Sequence, residues 1–307
     1  MAKKILIAVD SSQASLRALA YVAMMEAAVI MDLSVVLMHV VRTVPPTVRQ
    51  DMELRPQSFR RLQEIEALNL AQGRKVLERA RQRLLDLGVD QERIATVLRT
   101  RRMGLAKDIL FEGEHGLYDA LVLGRRGLGK VEEAFMGSLT NKVVQHADRL
   151  PVWVVGGAVN SCRILCAVDN SEGSLKAVDH LAYMLSGNQE CQVTLFHASS
   201  GRTGGPSREM GSEEAAGDLQ EDLNAMARFF ERARADLIDA GLRPEQIRLV
   251  TREKAGSAWR AIMDEVRREG YGSVVLGRRG AGGSFWLGHV SDKIMARLAD
   301  AAVWIVG

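Results

Sequence analysis

Two periodicities alternate along this chain. Short continuous apolar runs, such as KILIAV at residues 4–9, VVLMHVV at 35–41 and DALVL at 119–123, have the length and β-branched content of strands buried on both faces. Between them, from about residue 12 to 28, up to Leu87 and from 105 to 114, apolar side chains recur every three or four positions, the spacing of helices with one buried face. Asp10, Ser11 and Ser12 form a turn and helix start after the first run, and Gly88 closes the long charged helix, where left-handed backbone comes at no steric cost. Residues 94–99 and 151–155 add two more strands, with a further helix up to about Ala147 between them. This alternation predicts right-handed crossovers and a five-stranded parallel sheet covered by helices on both faces. Ligands of such sheets bind at the carboxyl ends of the strands, which is where Asp10, His39 and Val40 fall. The stretch from Val44 to Pro56, with Pro45 and Pro46, breaks the rhythm and can reach over that crevice.

The pattern then starts again. CRILCAVDNSEGSLKAVDHLAYML at 162–185 repeats KKILIAVDSSQASLRALAYVAMM at 3–25, placing Asp169 opposite Asp10. VTLFHAS repeats VVLMHVV, with His197 opposite His39, SVVLGRRG repeats ALVLGRRG, and ADAAVWIVG echoes ADRLPVWVVGG. A period near 150 residues is too long for a solenoid unit. Two homologous α/β domains are expected, at 1–157 and 161–307. Each ends in an apolar strand, at 152–155 and 303–306, and an uncovered edge of this kind invites pairing.

Composition narrows the function classes. In 307 residues, 47% apolar and 26% charged side chains are those of a globular protein with a sizeable core. A net charge of +3 gives no electrostatic case for nucleic acid or membrane, and short basic runs such as Arg99, Arg101 and Arg102 read as solvated faces. No apolar run is long enough to span a bilayer, and MAKKILIAVD reads as a first strand, not a leader. Cys162 and Cys166 lie four apart on a strand, too distant for one tetrahedral metal, and with Cys191 they fit a reducing cytoplasm. His39 and His197 read as packed strand histidines. No metal-ligand cluster and no Ser/His/Asp or Cys/His arrangement stands out, so no catalytic residue is assigned.

The remaining motif is GRRGLGKVEEAFMGS at 124–138, between the fourth strand and the next helix. Glycines let backbone N–H groups approach a ligand, and a helix N-terminus favours an anion such as phosphate; the same glycines can equally make turns, with Ser138 a plain cap. The spacing is particular: Gly124, two residues, Gly127, nine residues, then Gly137 and Ser138. This G-2x-G-9x-G-(S/T) pattern resembles that of the universal stress protein family, and both halves together resemble its tandem members. The resemblance implies two Rossmann-like domains of the adenine nucleotide α-hydrolase-like type. It implies ATP held by Asp10 and by the backbone of Val40, with Gly124, Gly127, Gly137, Ser138 and Leu139 around the ribose and phosphates. Asp10 has a second reading as a helix cap. Arg125 and Arg126 can offset triphosphate charge or remain solvated. Mg²⁺ or Mn²⁺ would accompany the phosphates, and hydrolysis, if any, would be slow, since no base for the water is apparent.

The second half departs from the pattern. Gly277 and Gly280 are kept, but Gly288 follows after seven residues and His289 replaces the Ser or Thr, with Ser291 near enough to cap the helix. Asp169, Ala198, Gly277, Gly280, Gly288 and His289 remain its candidates. The resemblance further implies that the two terminal strands pair within the chain as a pseudo-dimer, leaving a homodimer open. Competing readings are a tandem scaffold that acts through protein contacts, and an adenylate-cleaving enzyme of the same broader fold, against which stands the lack of an SGGxDS-type loop.

Overall fold

The computed structural model describes residues 2–28, 30, 32–44, 49, 52, 56–125, 137–199, 212–253, 255–279 and 287–307. The apolar runs become strands: β1 (Lys3–Ala8), β2 (Leu33–Val41), β3 (Ile94–Thr100), β4 (Ala120–Gly124) and β5 (Val152–Val155) in the first half. The second half repeats them as β6 (Arg163–Ala167), β7 (Gln192–Ala198), β8 (Ile247–Arg252), β9 (Ser273–Gly277) and β10 (Ala302–Val306). The helical stretches become α1 (Gln13–Ala28), α2 (Pro56–Asp86), α3 (Leu105–His115) and α4 (Ser138–His146), then α5 (Glu172–Met184), α6 (Ser212–Asp239), α7 (Ala258–Glu269) and α8 (His289–Arg297). α2 begins on a proline, which loses nothing there because the first helical N–H has no partner. Gly88 beyond its end has φ +91°, the left-handed conformation expected of it.

All ten strands share one sheet, in the order β3-β2-β1-β4-β5-β10-β9-β6-β7-β8. Within each half the neighbours are parallel; the halves join where β5 and β10 run antiparallel, with Trp153 opposite Trp304. The terminal strands therefore pair within one chain, and each covers the other's apolar edge. In the first half the chain builds outward from β1 through β2 to β3, then crosses back to the other side of β1 for β4. That reversal leaves a cleft at the carboxyl ends of β1 and β4.

The strand period of two divides the core into layers. Ile5, Ile7 and Val122 face α1 and α2, where Leu19, Val22, Leu77 and Leu84 meet them. Leu6, Leu121 and Leu123 face the opposite side, against Ile109 of α3 and Val143 and Val144 of α4. The second half divides likewise between α5 and α6 on one face and α7 and α8 on the other, so each layer runs through both halves. Each fully buried aliphatic side chain stabilises by roughly 1.5–3 kcal/mol relative to exposure.

Candidate functional site

At the switch point the carboxyl ends of β1, β2 and β4 and the start of α4 surround a crevice of about 940 Å³. Its walls bring together Asp10, Val40, Gly124, Gly137, Ser138 and Leu139, six of the residues singled out in the first half. Gly127 and Arg126 lie outside the described residues, as do Gly280 in the second half and most of the proline-bearing stretch after Val44.

Asp10 organises the turn into α1. Its Oδ1 accepts from the Ser12 N–H at 2.9 Å, the Ser12 hydroxyl at 2.5 Å and the Ser15 hydroxyl at 2.7 Å, while its own N–H donates to Ser15 Oγ at 2.9 Å. Among the described residues these bonds to its carboxylate all fall on Oδ1. The helix-start reading of Asp10 thus engages one of its two carboxylate oxygens. His39 is a packed strand histidine: its Nδ1–H donates to the Val9 carbonyl at 2.7 Å, which holds the ends of β1 and β2 together.

Gly124 is required where β4 passes α1, because a Cβ there would lie 2.5 Å from the Ala14 backbone. The Thr140 hydroxyl donates to the Gly124 carbonyl at 3.0 Å, and the Gly137 N–H donates to the Arg125 carbonyl at 2.9 Å, so the base of the loop is closed at both exits. Ser138 is not the cap of α4. It is the first helical residue; Gly137 occupies the cap position, and among the described residues no side chain caps the first turn there. The opening N–H groups of α4 therefore carry their partial positive charge into the crevice.

Arg125 requires a correction. It does not line the crevice; its side chain is buried and its guanidinium donates to the carbonyls of Leu298 and Ala296 in the other half. A glycine-loop arginine beside a phosphate motif reads as a ligand contact, but here the last turn of α8 offers carbonyls closer by.

The second half repeats the β1 turn with fidelity. Asp169 Oδ1 accepts from the Ser171 and Ser174 hydroxyls at 2.5 and 2.7 Å, and His197 Nδ1–H donates to the Val168 carbonyl at 2.9 Å. Ala198, at the end of β7, is half-buried, and Gly288 takes the cap position before His289, the first residue of α8. Ser291 does not cap that helix; its hydroxyl donates to the Gly277 carbonyl at 2.8 Å, the part Thr140 plays in the first half. A Cβ on Gly173 would lie 2.0 Å from the Arg279 carbonyl oxygen, so the chain leaving β9 runs directly over the start of α5. The matching residue in the first half is Ala14.

Several walls of the crevice escaped the sequence reading: Asn69, Gln72, Gly73 and Val76 of α2, Leu105 and Ile109 of α3, and Arg42 and Arg101 at the strand ends. Gly73 carried the signal. A glycine inside a long helix is costly, and this one lets α2 approach β2, since a Cβ would meet Val41 Cγ2 at 2.6 Å. Among the described residues no group of three or more His, Cys, Asp or Glu is placed to hold a metal, and no helix is long and apolar enough to cross a membrane. The cysteines are free; burial alone pushes the Cys166 thiol up to about 12, and the Cys191 thiol donates to the Cys162 carbonyl.

Comparison with known proteins agrees with this architecture. A universal stress protein from Archaeoglobus fulgidus DSM 4304 is 17% identical and superposes with a TM-score of 0.61 over 99% of this chain and 97% of its own. A functionally unknown protein from Pseudomonas aeruginosa PAO1 is 16% identical, with a TM-score of 0.53 over 99% of this chain and 92% of its own. At these identities the likeness is one of fold. No curated protein matches the chain by sequence. The model of the universal stress protein family matches twice, over residues 1–156 and 162–307, and the chain therefore belongs to that family as a tandem of two such domains.

Proposed function

We propose that the first half binds an adenine nucleotide, ATP, and that the protein serves a nucleotide-dependent stress response without dedicated catalysis, in the cytoplasm. The observation that supports this most is the start of α4 at Gly137, Ser138 and Leu139, which no described side chain caps and which opens into the same crevice as Asp10 and the end of β2 at Val40. A helix N-terminus attracts phosphate, a carboxylate oxygen accepts from a ribose or an exocyclic amine, and strand-end backbone can read a base edge. The volume lies within the range of small-molecule sites. Mg²⁺ or Mn²⁺ would arrive with the triphosphate and take most of its ligands from phosphate oxygen and water, consistent with the small number of carboxylates at the crevice.

Titration calorimetry of ATP against the wild type and Ser138→Glu tests the reading. Ser138 is exposed, so the substitution leaves the core intact while placing a negative charge where phosphate would sit. Binding that falls at least about tenfold in the variant is expected. No binding to the wild type at millimolar ATP would sink the proposal.

A further inference from the structure

Arg125 and Arg278 open the glycine loops of the two halves, and both are buried. Arg125 Nη1 and Nη2 donate to Leu298 O and Ala296 O, 2.5 and 2.8 Å away at the carboxyl end of α8. Arg278 answers from the other half: Nη1 donates to Val144 O at 2.5 Å and Ala147 O at 3.1 Å, and Nη2 to Gln145 O, at the carboxyl end of α4. The last carbonyls of a helix lack intrahelical partners and carry its negative end, so a guanidinium with its fixed fork of donors suits them. Burial pulls the Arg278 pKa down and Asp148 beside it pulls it back up.

The backbones of the same two residues close their own loops. Gly137 N–H donates to Arg125 O, and Gly288 N–H donates to Arg278 O at 2.8 Å. These bonds form a ring. From Arg125 it passes to the end of α8, along α8 to Gly288, across to Arg278, on to the end of α4, and along α4 to Gly137 and back to Arg125. Each helix has nine residues and so spans about 13 Å, short enough to move as a rod. Both halves carry arginine here, although the spacing to the third glycine differs between them.

We propose that this ring couples the two halves crosswise, Arg278 being a positioning residue for the phosphate end of the first-half crevice and Arg125 for the corresponding end in the second. The proposal rests on the nucleotide reading above for its ligand. Phosphate drawn to the start of α4 loads a helix whose far end is gripped by the other half, so a residue outside the first crevice contributes to affinity there.

The test uses the full chain as wild type, Arg278→Ala and Arg278→Lys, with ATP titration and with hydrogen exchange at residues 137–143 in the absence of nucleotide. Arg278→Ala is expected to weaken ATP binding about fivefold or more, the low end of measured couplings, and to speed exchange at residues 137–143 while β1 and β2 stay protected. Arg278→Lys should recover part of both. Exchange rising evenly through the sheet, or both readouts at the wild-type level, overturns the proposal. Should Arg278→Ala not fold, Arg278→Gln takes its place, keeping a polar group with two N–H donors on a side chain too short to reach the α4 carbonyls. Should the wild type bind no ATP, the nucleotide reading falls, and exchange at residues 137–143 alone decides the coupling, with wild-type exchange overturning it.

Discussion

The indole rings of Trp153 and Trp304 stack with centroids 3.9 Å apart and planes 5° from parallel, at opposed positions of the antiparallel pair β5–β10. Each ring belongs to a different half, and each indole N–H finds a different partner. Trp153 donates to His180 Nε2 at 3.2 Å, whereas Trp304 donates to the Tyr21 hydroxyl at 2.8 Å, which in turn bonds Ser273 Oγ at 2.7 Å. Tyr21 and His180 occupy equivalent positions of the repeat, so the seam between the halves is symmetric in shape and asymmetric in its polar groups.

Both tryptophans are fully buried, and truncating either removes a large apolar side chain and leaves a cavity. Trp304→Ala should cost about 3–5 kcal/mol in urea unfolding followed by circular dichroism. Trp153→Ala should cost a similar amount, and the double variant less than the sum, because each ring has lost its neighbour already. Additive costs would mean that the stack contributes nothing of its own.

His180 predicts an acid limb in the stability curve. Burial lowers its pKa from 6.5 to about 3, and its Nε2 must stay unprotonated to accept from Trp153. As pH falls below 6.5 the unfolded chain takes up this proton while the folded chain does not, so stability declines progressively towards pH 3. From pH 6.5 to 5 the loss is about 2 kcal/mol. His180→Gln keeps an acceptor without the titration. Urea midpoints at pH 7, 6 and 5 should flatten in this variant, and an unchanged slope would refute the assignment.

Gly173→Ala reverses a familiar sign. In a helix this exchange ordinarily stabilises by about 1 kcal/mol, but the new methyl group would meet the Arg279 carbonyl oxygen at 2.0 Å. A destabilisation of about 1–3 kcal/mol is expected, as for other overpacked sites. A stabilised variant would show that the chain after β9 can leave by another path.

Asp10→Asn separates the two duties of this side chain. The amide oxygen can still accept from Ser12 and Ser15, so the melting temperature should hold, while the position of Oδ2 becomes a donor. Loss of a charged acceptor is worth about 1.5–3 kcal/mol, so ATP affinity should fall about 10- to 100-fold by calorimetry. Unchanged affinity together with an unchanged melt would confine Asp10 to the turn.

The sequence alone determined what depends on neighbours along the chain. Hydrophobic period separates strand from helix over a few residues, so the alternation, the repeat of Asp10 by Asp169 and the left-handed Gly88 were legible without coordinates. The spacing of Gly124, Gly137 and Ser138 was legible too, because a strand-to-helix turn is local. Tertiary structure decided the long-range partners, which no local pattern encodes. It sent Arg125 across 173 residues of chain to Leu298, brought α2 to the crevice through Gly73, and gave Cys162 the company of Cys191 in place of Cys166. A buried guanidinium goes wherever unpaired carbonyls lie within reach, and only the packed sheet, joined at Trp153 and Trp304, determines where that is.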